Sequence, residues 1–507
     1  DKLVDYAAVQ LFMDRVAEAR PGFAIGSSPE AAAVASICYR LDGIPLALEL
    51  AAARISVLGL QEIADRLDDR FRLLTGGRRA ALPRHQTLRA SVSWSHDLLS
   101  PSELALFRRL SVFTGGWTLE AANALTGEDV LDVLGQLVDK SLVQTSDHAG
   151  ATRYALLETI RAFASERLRE SGEEAAVRER HATFFLGLAE QAGPGIRGPD
   201  QQHWIEQLQV DYDNLRAAAR WYGDDSARAL LGLRLAAALW EFWHVRGYLG
   251  EAARWLEGAL DADSGPSPAR AEALDGLGVV TALRGDNERA ATLFAESETV
   301  FGALGEQPGR AHAMSNRGIA SLMLGDAVQA TELARQALAI ARSTGGGWAE
   351  AYAQYALGWA SRFSGDMELS LRCVADSAAL FGSVGDERGR AFALHLLGPL
   401  LMDSGRAAEA LGPLREAVGT FAVLEDAWGI LNVLSQAVRL VAELGEFQHA
   451  ARLLGASRAL RERIGAELLP VLQQPEERGA ALARSELDEP AFEAAVLAGH
   501  GLSLNEA

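Results

Sequence analysis

Residues 278–290 are GVVTALRGDNERA, residues 318–330 are GIASLMLGDAVQA, and residues 358–370 are GWASRFSGDMELS. Each stretch begins with a glycine, has a Gly-Asp pair seven residues later and ends on a small residue, and the copies are 40 residues apart. Glycine suits a tight turn, and aspartate suits the start of a helix. The repeat therefore predicts pairs of helices, each joined by a Gly-Asp turn, that bury their apolar stripes against neighbouring pairs.

The same period continues on both sides of these stretches. Gly405-Arg406 and Gly445-Glu446 are later copies of the turn, and Gly247 is an earlier copy offset by two residues. A fixed period of this length is typical of helical solenoids. Residues 226–465 resemble tetratricopeptide-type repeats in a longer, 40-residue form, and we expect residues 466–507 to form a helical cap. The resemblance implies a superhelix whose concave groove is lined by the first helix of each pair.

The residues that face this groove follow from the repeat if its first glycine is the small position of the first helix. They lie six and three residues before that glycine and one and four residues after it. Towards the ends of the groove these positions hold Glu272, Asp275, His312, Ser315, Asn432 and Ser435. The middle holds Tyr352, Tyr355, Trp359, Phe392 and His395, flanked by Arg362 and Arg439, and we predict that these seven residues bind an effector. The alternative is that these aromatic residues are core between repeats, which is how Trp240, Trp243 and Trp255 are interpreted.

Composition and charge exclude several classes of protein. The chain has 507 residues, of which 49% are hydrophobic, so it can bury more than one core. Its net charge is −20, of which −17 falls after residue 170, so the C-terminal part is a poor general binder of nucleic acid. Cys38 and Cys373 are far apart and indicate a reducing cytoplasm rather than a disulfide framework. No apolar run approaches the roughly 20 residues that cross a bilayer, so we expect no membrane partner.

The N-terminal third predicts two further domains and a connector. Residues 1–75 are expected to form a helical domain, with a helix start at Ser28-Pro29-Glu30. Residues 76–170 begin with helices, one of which has the capping-box pattern Ser100-Pro101-Ser102-Glu103. The segments SLVQT and TRYALL flank SDHAGA, a pattern typical of a two-stranded wing. We therefore predict a winged helix over 76–170 and a helical connector over 171–225.

Six stretches occur in a fixed order along the chain: DYAAVQLFMDRV, LDGIPLALELAAAR, RHQTLRASVSWSHDLL, LFRRLSVFTGGWTLEAA, LVDKSLV and RYALLETIRAFA. In this order they resemble the C-terminal half of STAND-class regulatory ATPases, the bacterial LuxR/AfsR-type transcriptional regulators related to NB-ARC ATPases. The resemblance implies a mainly α fold with a helical lid, a winged helix and a repeat sensor arm. Gly43-Ile44-Pro45-Leu46 matches the GxP motif of that family, so Gly43, Pro45 and Leu46 would contact the adenine and ribose of ADP or ATP. The alternative is a plain helix start, where proline is tolerated.

Two departures from the family limit this nucleotide site. No G-x-x-x-x-G-K-[ST] phosphate loop occurs, and Leu156-Leu157-Glu158 stands where NB-ARC proteins often carry Met-His-Asp. The chain begins at Asp1 without an initiator methionine, and we expect it to be part of a longer parent ATPase. We expect it to hold at most one wall of the nucleotide site and to lack enzyme activity. The ten histidines show no metal-ligand spacing, so no metal is expected.

These features predict the sensor and autoregulatory portion of a nucleotide-switched transcriptional regulator. An effector in the groove, either a small molecule or a protein, would favour one docking of the repeat arm against the lid and winged helix. The ATPase domain of the parent chain would be a partner, and DNA would be contacted only indirectly. One alternative is a constitutive tetratricopeptide scaffold for protein–protein interaction. Another is DNA binding through the winged helix, because residues 66–109 contain nine arginines, including Arg78, Arg79, Arg84, Arg108 and Arg109.

Overall fold

The computed structural model consists almost entirely of helices. It describes residues 6–67 except 21, 22, 24, 26, 42, 44, 53, 54, 56 and 57, then residues 92 and 96, and then 99–502 except 141, 149 and 466–469. These residues form two compact units, one with the residues up to 184 together with 211–218, the other with 185–210 and the residues from 219 onward. The predicted mainly α class is confirmed. The predicted connector 171–225 is not a body of its own, because its residues are divided between the two units.

Four short helices begin the first unit: α1 (Ala7–Ala19), α2 (Ser28–Arg40), α3 (Pro45–Ala52) and α4 (Leu60–Arg66). The cap of α2 is Ser27 rather than Ser28, since the Ser27 side chain accepts a hydrogen bond from the Glu30 backbone N–H at 3.4 Å. The four helices enclose an apolar core of their own, which includes Val9, Phe12, Val16, Ile37, Leu48 and Ile63.

A winged helix follows in the same unit. It consists of α5 (Pro101–Arg109), a 3₁₀ turn (Leu110–Val112), α6 (Leu119–Thr126), α7 (Leu131–Asp139), the strands β1 (Gln144–His148) and β2 (Ala151–Ala155), and α8 (Glu158–Ser171). The predicted capping box is present, because the Ser100 hydroxyl accepts from the Glu103 N–H at 3.4 Å and Glu103 accepts from the Ser100 N–H at 2.7 Å. The strands pair antiparallel, with Thr145 opposite Tyr154. Three helices before a hairpin give the winged-helix arrangement that the sequence predicts.

The remaining helices are α9 (Glu174–Gly195), α10 (Gln201–Val210), α11 (Tyr212–Gly223), α12 (Ala229–Arg246), α13 (Leu249–Ala262), α14 (Pro268–Leu283), α15 (Asn287–Leu304), α16 (Gln307–Met323), α17 (Ala327–Ser343), α18 (Trp348–Phe363), α19 (Met367–Val384), α20 (Glu387–Asp403), α21 (Ala407–Val423), α22 (Ala427–Glu443), α23 (Phe447–Ile464), α24 (Pro470–Glu486) and α25 (Glu489–His500). From α12 to α23 they form successive pairs, with even-numbered helices first. Among the residues that the structure describes, no helix combines the length and apolar character needed to cross a bilayer.

The Gly-Asp motifs are the turns inside these pairs. Gly285, Gly325 and Gly365 have φ angles of 92°, 89° and 83°, a left-handed conformation that only glycine adopts at little cost. The aspartate after each glycine caps the second helix, as where Asp286 accepts from the Arg289 N–H at 3.0 Å. The recurring positions are therefore the points at which the backbone turns.

A second series with the 40-residue period lies where one helix pair meets the next. In it the ring of a phenylalanine packs against a glycine of the following helix pair. A Cβ atom on the glycine of each partnership would lie 2.3–2.6 Å from the phenylalanine ring, so the ring packs directly on the backbone. The partners are Phe301 and Gly309, Phe381 and Gly389, and Phe421 and Gly429. The positions of the series between Phe301 and Phe381 hold alanine in both places, at Ala341 and Ala349. Alanine is smaller than the phenylalanine that it replaces and larger than the glycine, so the two changes compensate in volume.

The second unit closes on itself. Arg246, at the end of α12, donates to the carbonyl of Leu424 at 3.3 Å and pairs with Glu425, while Gly247 lies against Ile464 of α23. The first pair of helices therefore contacts the last ones.

Candidate functional site

The concave surface of the second unit contains two adjoining cavities. The larger, here called the outer cavity, has a volume of about 950 Å³, and the smaller, here called the inner cavity, has about 150 Å³. Trp240, Glu241, His312 and Trp348 line both, so these four residues form the wall between them. Cavities of several hundred Å³ with aromatic walls and a few polar groups are the usual form of small-molecule sites.

Of the positions six residues before the repeat glycine, four line these cavities and Asn432 does not. Glu272 and His312 line the outer cavity, and His312, Tyr352 and Phe392 line the inner one. Of the positions three residues before the glycine, Asp275 and Tyr355 are also in the walls. The structure therefore brings together Tyr352, Tyr355 and Phe392 of the predicted effector site.

Four predicted site residues lie in neither cavity. Arg362 and Arg439 both pair with Asp403, at 2.7 and 2.8 Å, and tie α18 and α22 to α20. Trp359 is buried and stacks on Phe363 with 6.1 Å between ring centres. His395 is the fourth and is also buried. Towards this end of the groove the first helices pack on one another, so the same spacing that lines the cavities elsewhere produces core here.

Ser315, Asn432 and Ser435 are buried as well. Each donates its side-chain hydrogen bond to a backbone carbonyl of its own helix, at 2.9, 2.7 and 3.1 Å. The prediction that they face the groove is wrong, because their polar atoms are already satisfied inside the helix packing.

The burial of His395 gives the second unit a pH dependence. Its side chain is 1% exposed, and burial lowers its pKa to about 4. In the unfolded chain the pKa is near 6.5, so the unfolded state binds a proton more readily. The stability that neutral His395 contributes is therefore present above pH 6.5 and is lost as the pH falls towards 4, with ~2 kcal/mol lost between pH 7 and pH 5.

Urea denaturation at pH 7 and pH 5 measures this loss. His395→Gln is expected to reduce the difference in unfolding free energy between the two pH values by about 2 kcal/mol. His449→Gln is the control, because the His449 side chain is 64% exposed. Carboxyl groups with raised pKa values, such as Glu272 and Asp386, make the folded state more stable as the pH falls. They are present in the wild type and in both variants, so they do not affect the comparison. An unchanged pH dependence in His395→Gln would contradict the assignment.

Polar contacts order the wall between the cavities. The Asn316 amide donates to Asp275 at 3.1 Å, and the Tyr352 hydroxyl donates to the Asn316 oxygen at 2.6 Å. His312 Nδ1 lies 3.1 Å from the second oxygen of Asp275. Burial raises the pKa of Tyr352 and raises that of Tyr355 to about 12, so both phenols stay neutral and can donate hydrogen bonds at physiological pH.

Arg197 is the residue that sequence reasoning missed most clearly. Its guanidinium lies 4.3 Å from the centre of the Trp348 ring and 5.7 Å from that of Trp240, and its Nε donates to Glu241 at 2.8 Å. Trp240 is therefore part of the cavity wall, which corrects its interpretation as a core residue between repeats. Trp243, by contrast, is fully buried and packs against Trp255. The Pro/Gly-rich stretch PGIRGPD around Arg197 marked a loop, but no period linked it to the groove.

The residues around Arg197 are bound to the repeats and are here called the 194–201 segment. Gln201 donates to Asp386 at 2.6 Å and accepts from the Arg388 N–H at 3.0 Å. Asp386 also accepts from the Trp348 indole N–H at 2.6 Å. Burial raises the pKa of Asp386 despite these donors. The segment therefore occupies one side of the concave surface and contributes Arg197 to the outer cavity and Ile196 to the inner one.

The outer cavity carries an excess of negative charge. Among the described residues, five carboxylates and two guanidiniums line it, and both guanidiniums are already paired, Arg197 with Glu241 and Arg234 with Glu190. Glu272 makes no ion pair with any residue in the described part of the chain. Burial raises the pKa of Glu272, and the carboxylates of Asp275 and Glu241 act in the same direction against the lowering effect of the Arg197 guanidinium.

The Gly-Ile-Pro corner of the first unit has a geometric explanation. Gly43 has φ of 63°, and its N–H donates to the Cys38 carbonyl at 3.1 Å, which ends α2. Pro45 is exposed and is the first residue of α3, where a missing N–H costs nothing. Leu46 follows it in α3. These observations are sufficient to explain the motif, and they leave the predicted nucleotide contact as a prediction.

The winged helix presents few cations on its described surface. Arg108 and Arg109 both bond Glu173 at 2.9 Å and hold the pKa of that carboxyl at about 2. The exposed residues of α7, the helix before the wing, are Leu131, Asp132, Gly135, Gln136 and Asp139, with no cation among them. Arg78, Arg79 and Arg84 lie outside the described residues. Phosphate contacts need clustered positive charge, which α7 does not supply.

The described part of the chain shows neither a metal site nor a disulfide bond. Within the described ranges no group of histidine, cysteine and acidic residues has the geometry to hold a metal ion. Cys38 and Cys373 are both buried and are not disulfide-bonded.

Comparison with known proteins gives a family match for part of the chain. Residues 99–169 match the model of a winged helix-turn-helix domain. Over 260 residues the chain is 47% identical to a protein of Mycobacterium tuberculosis named as a candidate HTH-type transcriptional regulator, which covers 50% of this chain and 29% of that protein. An uncharacterized protein of Mycobacterium tuberculosis is 45% identical over 181 residues, covering 34% of this chain and 46% of the other. The chain thus spans less than a third of the length of the regulator and less than half that of the second relative.

Among solved structures, the chain is similar to a STAND protein with a tetratricopeptide repeat sensor from Pyrococcus horikoshii. The TM-score is 0.43 at 14% identity, with 96% of this chain and 71% of the other covered.

Proposed function

We propose that this chain is the sensor portion of a bacterial transcriptional regulator and that its outer and inner cavities bind a small-molecule effector. The winged helix-turn-helix match and the regulator-like relatives support the first part. The observation that carries the second part is the pair of adjoining cavities with aromatic and charged walls. Asn287 adds to it, because it lines the inner cavity, is 9% exposed, and its Oδ1 has no hydrogen-bond donor among the described residues.

The 194–201 segment offers a way to couple the cavities to the rest of a regulator. It begins with the last two residues of α9, a helix whose first residues belong to the first unit. The segment can be bound to the repeats or released from them. An effector that binds the released arrangement more tightly shifts this equilibrium towards release, by the difference between its affinities for the two arrangements. The coupling then reaches the winged helix through the covalent continuation of the chain.

The nucleotide part of the switch rests on the family resemblance alone. Gly43 and Pro45 fit one apolar wall of a nucleotide site, and the exposed ring of Pro45 is free to contact a flat base. No phosphate-binding loop occurs in the sequence, so these residues do not fit a whole nucleotide. We assign ADP or ATP to a longer parent protein and derive no step through it.

A substitution that fills the outer cavity tests the effector proposal. Ala349 is the second residue of α18 and lines the outer cavity, so Ala349→Trp is expected to exclude the effector. Ala408 is the second residue of α21 and is exposed, which makes Ala408→Trp the matched control. Both variants are introduced into the full-length regulator in its host, and transcripts are compared with those of the wild type and a deletion strain at equal protein levels.

We expect Ala349→Trp to change the transcripts that the deletion changes, while Ala408→Trp matches the wild type. If the deletion changes transcripts and Ala349→Trp does not, the cavities do not control the regulator, and the constitutive scaffold becomes the better description. If the deletion changes no transcript, the assignment to transcription is wrong.

A further inference from the structure

The position of Arg197 indicates what the outer cavity binds. This guanidinium lies over Trp348 and beside Trp240 and bonds Glu241, yet it comes from the 194–201 segment and not from the repeats. The repeats therefore offer a place for a positive group, made of two aromatic rings and a carboxylate, and the chain fills that place with its own side chain. Trp rings attract cations through their negative faces, most strongly where water is excluded.

The surroundings of this place also favour a cation. Asp275 is 2% exposed, and Glu272 faces the outer cavity without an ion pair among the described residues. Arg234, the second guanidinium in the wall, is paired with Glu190, and no lysine of the described residues lines the cavity. A carboxylate ligand would meet an excess of carboxylates here, whereas an ammonium or guanidinium ligand would be attracted by them.

The inner cavity, on the other side of Trp240 and Trp348, limits the rest of the ligand. Its volume of about 150 Å³ equals that of an engineered protein cavity known to bind benzene. Its walls include the rings of Phe294, Phe381 and Phe392. The buried Oδ1 of Asn287 is available to accept one hydrogen bond. A single ring joined to a short cationic arm therefore fits the two cavities together.

Resting on the proposed effector function, we propose that the effector is a small organic cation, an arylalkyl ammonium or guanidinium compound. Its positive group takes the place that Arg197 now holds between Trp240 and Trp348. Arg197 is then an internal competitor, and the effector must displace it to bind. Removal of Arg197 leaves Glu241, which is 7% exposed, as a buried carboxylate that lacks this partner. An incoming cation gains by restoring the pair.

Isothermal titration calorimetry on the full chain tests this with three probes of similar size, namely 2-phenylethylammonium, 2-phenylethanol and phenylacetate. We expect the wild type to bind the cation in preference to the alcohol and to show no heat with phenylacetate. In Arg197→Ala, affinity for the cation is expected to increase by about tenfold or more, because the competitor is gone and the carboxylate remains. Arg197→Met, which keeps the apolar stem, is the second variant if the first does not fold.

Arg234→Ala is the matched control. It also removes a positive charge from the wall of the outer cavity, but Arg234 does not lie on the two tryptophans. We expect it to change affinity for 2-phenylethylammonium by about twofold or less. An equal gain in Arg234→Ala would show that the effect is a general one of charge and would overturn the assignment of the position.

Two other results would overturn the proposal: phenylacetate binding as tightly as the cation, or weaker cation binding in Arg197→Ala and Arg197→Met than in the wild type. The transcription assay of Ala349→Trp distinguishes a wrong ligand class from a wrong effector function. If no cation binds but Ala349→Trp still alters transcription, the cavities remain an effector site and only the ligand class is wrong.

Discussion

Replacing Asp426 with alanine is expected to lower the free energy of unfolding of the second unit by about 3–5 kcal/mol. Asp426 is 0% exposed and accepts hydrogen bonds from Arg388 Nε at 2.6 Å and from the Gly429 N–H at 2.8 Å. Arg388 is itself 8% exposed, and its guanidinium also lies 3.4–3.5 Å from His244 and 4.9 Å from the centre of the Phe392 ring. Without Asp426 the guanidinium stays buried without an anionic partner, and α22 loses its cap.

Asp366→Ala is the matched control for that prediction. Asp366 caps α19 through the Leu369 N–H at 3.0 Å but is exposed, so its loss is expected to cost about 1 kcal/mol. Urea denaturation followed by circular dichroism compares the two. Adding Arg388→Met to Asp426→Ala is expected to recover part of the loss, because a buried apolar side chain replaces a buried unpaired charge. Equal costs for Asp426→Ala and Asp366→Ala would contradict the buried-pair argument.

The second large effect is expected at the end of the repeats, where α25 crosses α23. A Cβ atom on Gly455 would lie 2.0 Å from the backbone oxygen of Val496, and one on Gly499 would lie 1.9 Å from the oxygen of Arg452. The obstacle is backbone, so no side-chain rotation relieves it. Gly455→Ala is therefore expected to force the helices apart and to cost about 3 kcal/mol, even though alanine is the better helix former.

Limited proteolysis reports this change directly. We expect cleavage within α24 and α25 to accelerate in Gly455→Ala, because the Ser457–Glu476 hydrogen bond at 2.5 Å depends on the same packing. Gly419→Ala is the control, since its Cβ meets nothing within 4 Å and the residue is exposed. That variant is expected to stabilise its helix by up to about 1 kcal/mol. Unchanged proteolysis in Gly455→Ala would show that the crossing tolerates a wider spacing.

The sequence by itself determined the local elements of this protein. The 40-residue series of Gly-Asp pairs predicted the turns at Gly285, Gly325 and Gly365 because left-handed backbone and helix caps depend on residues adjacent in the chain. The capping box at Ser100 and the hairpin after α7 were predictable for the same reason. The resemblance to tetratricopeptide-type repeats implied that the first helix of each pair lines the groove, and the spacing then selected Tyr352 among its residues.

Only the tertiary structure decided which of these residues form a site. Tyr355 and Trp359 lie on the same helix and follow the same spacing rule, yet Tyr355 lines the inner cavity and Trp359 is core. Helical periodicity fixes the direction in which a side chain leaves its own helix, but it carries no information about what packs opposite. Arg197 shows this most clearly, because its partners Trp240 and Trp348 lie 43 and 151 residues away in the chain and meet it only through the closure of the repeats.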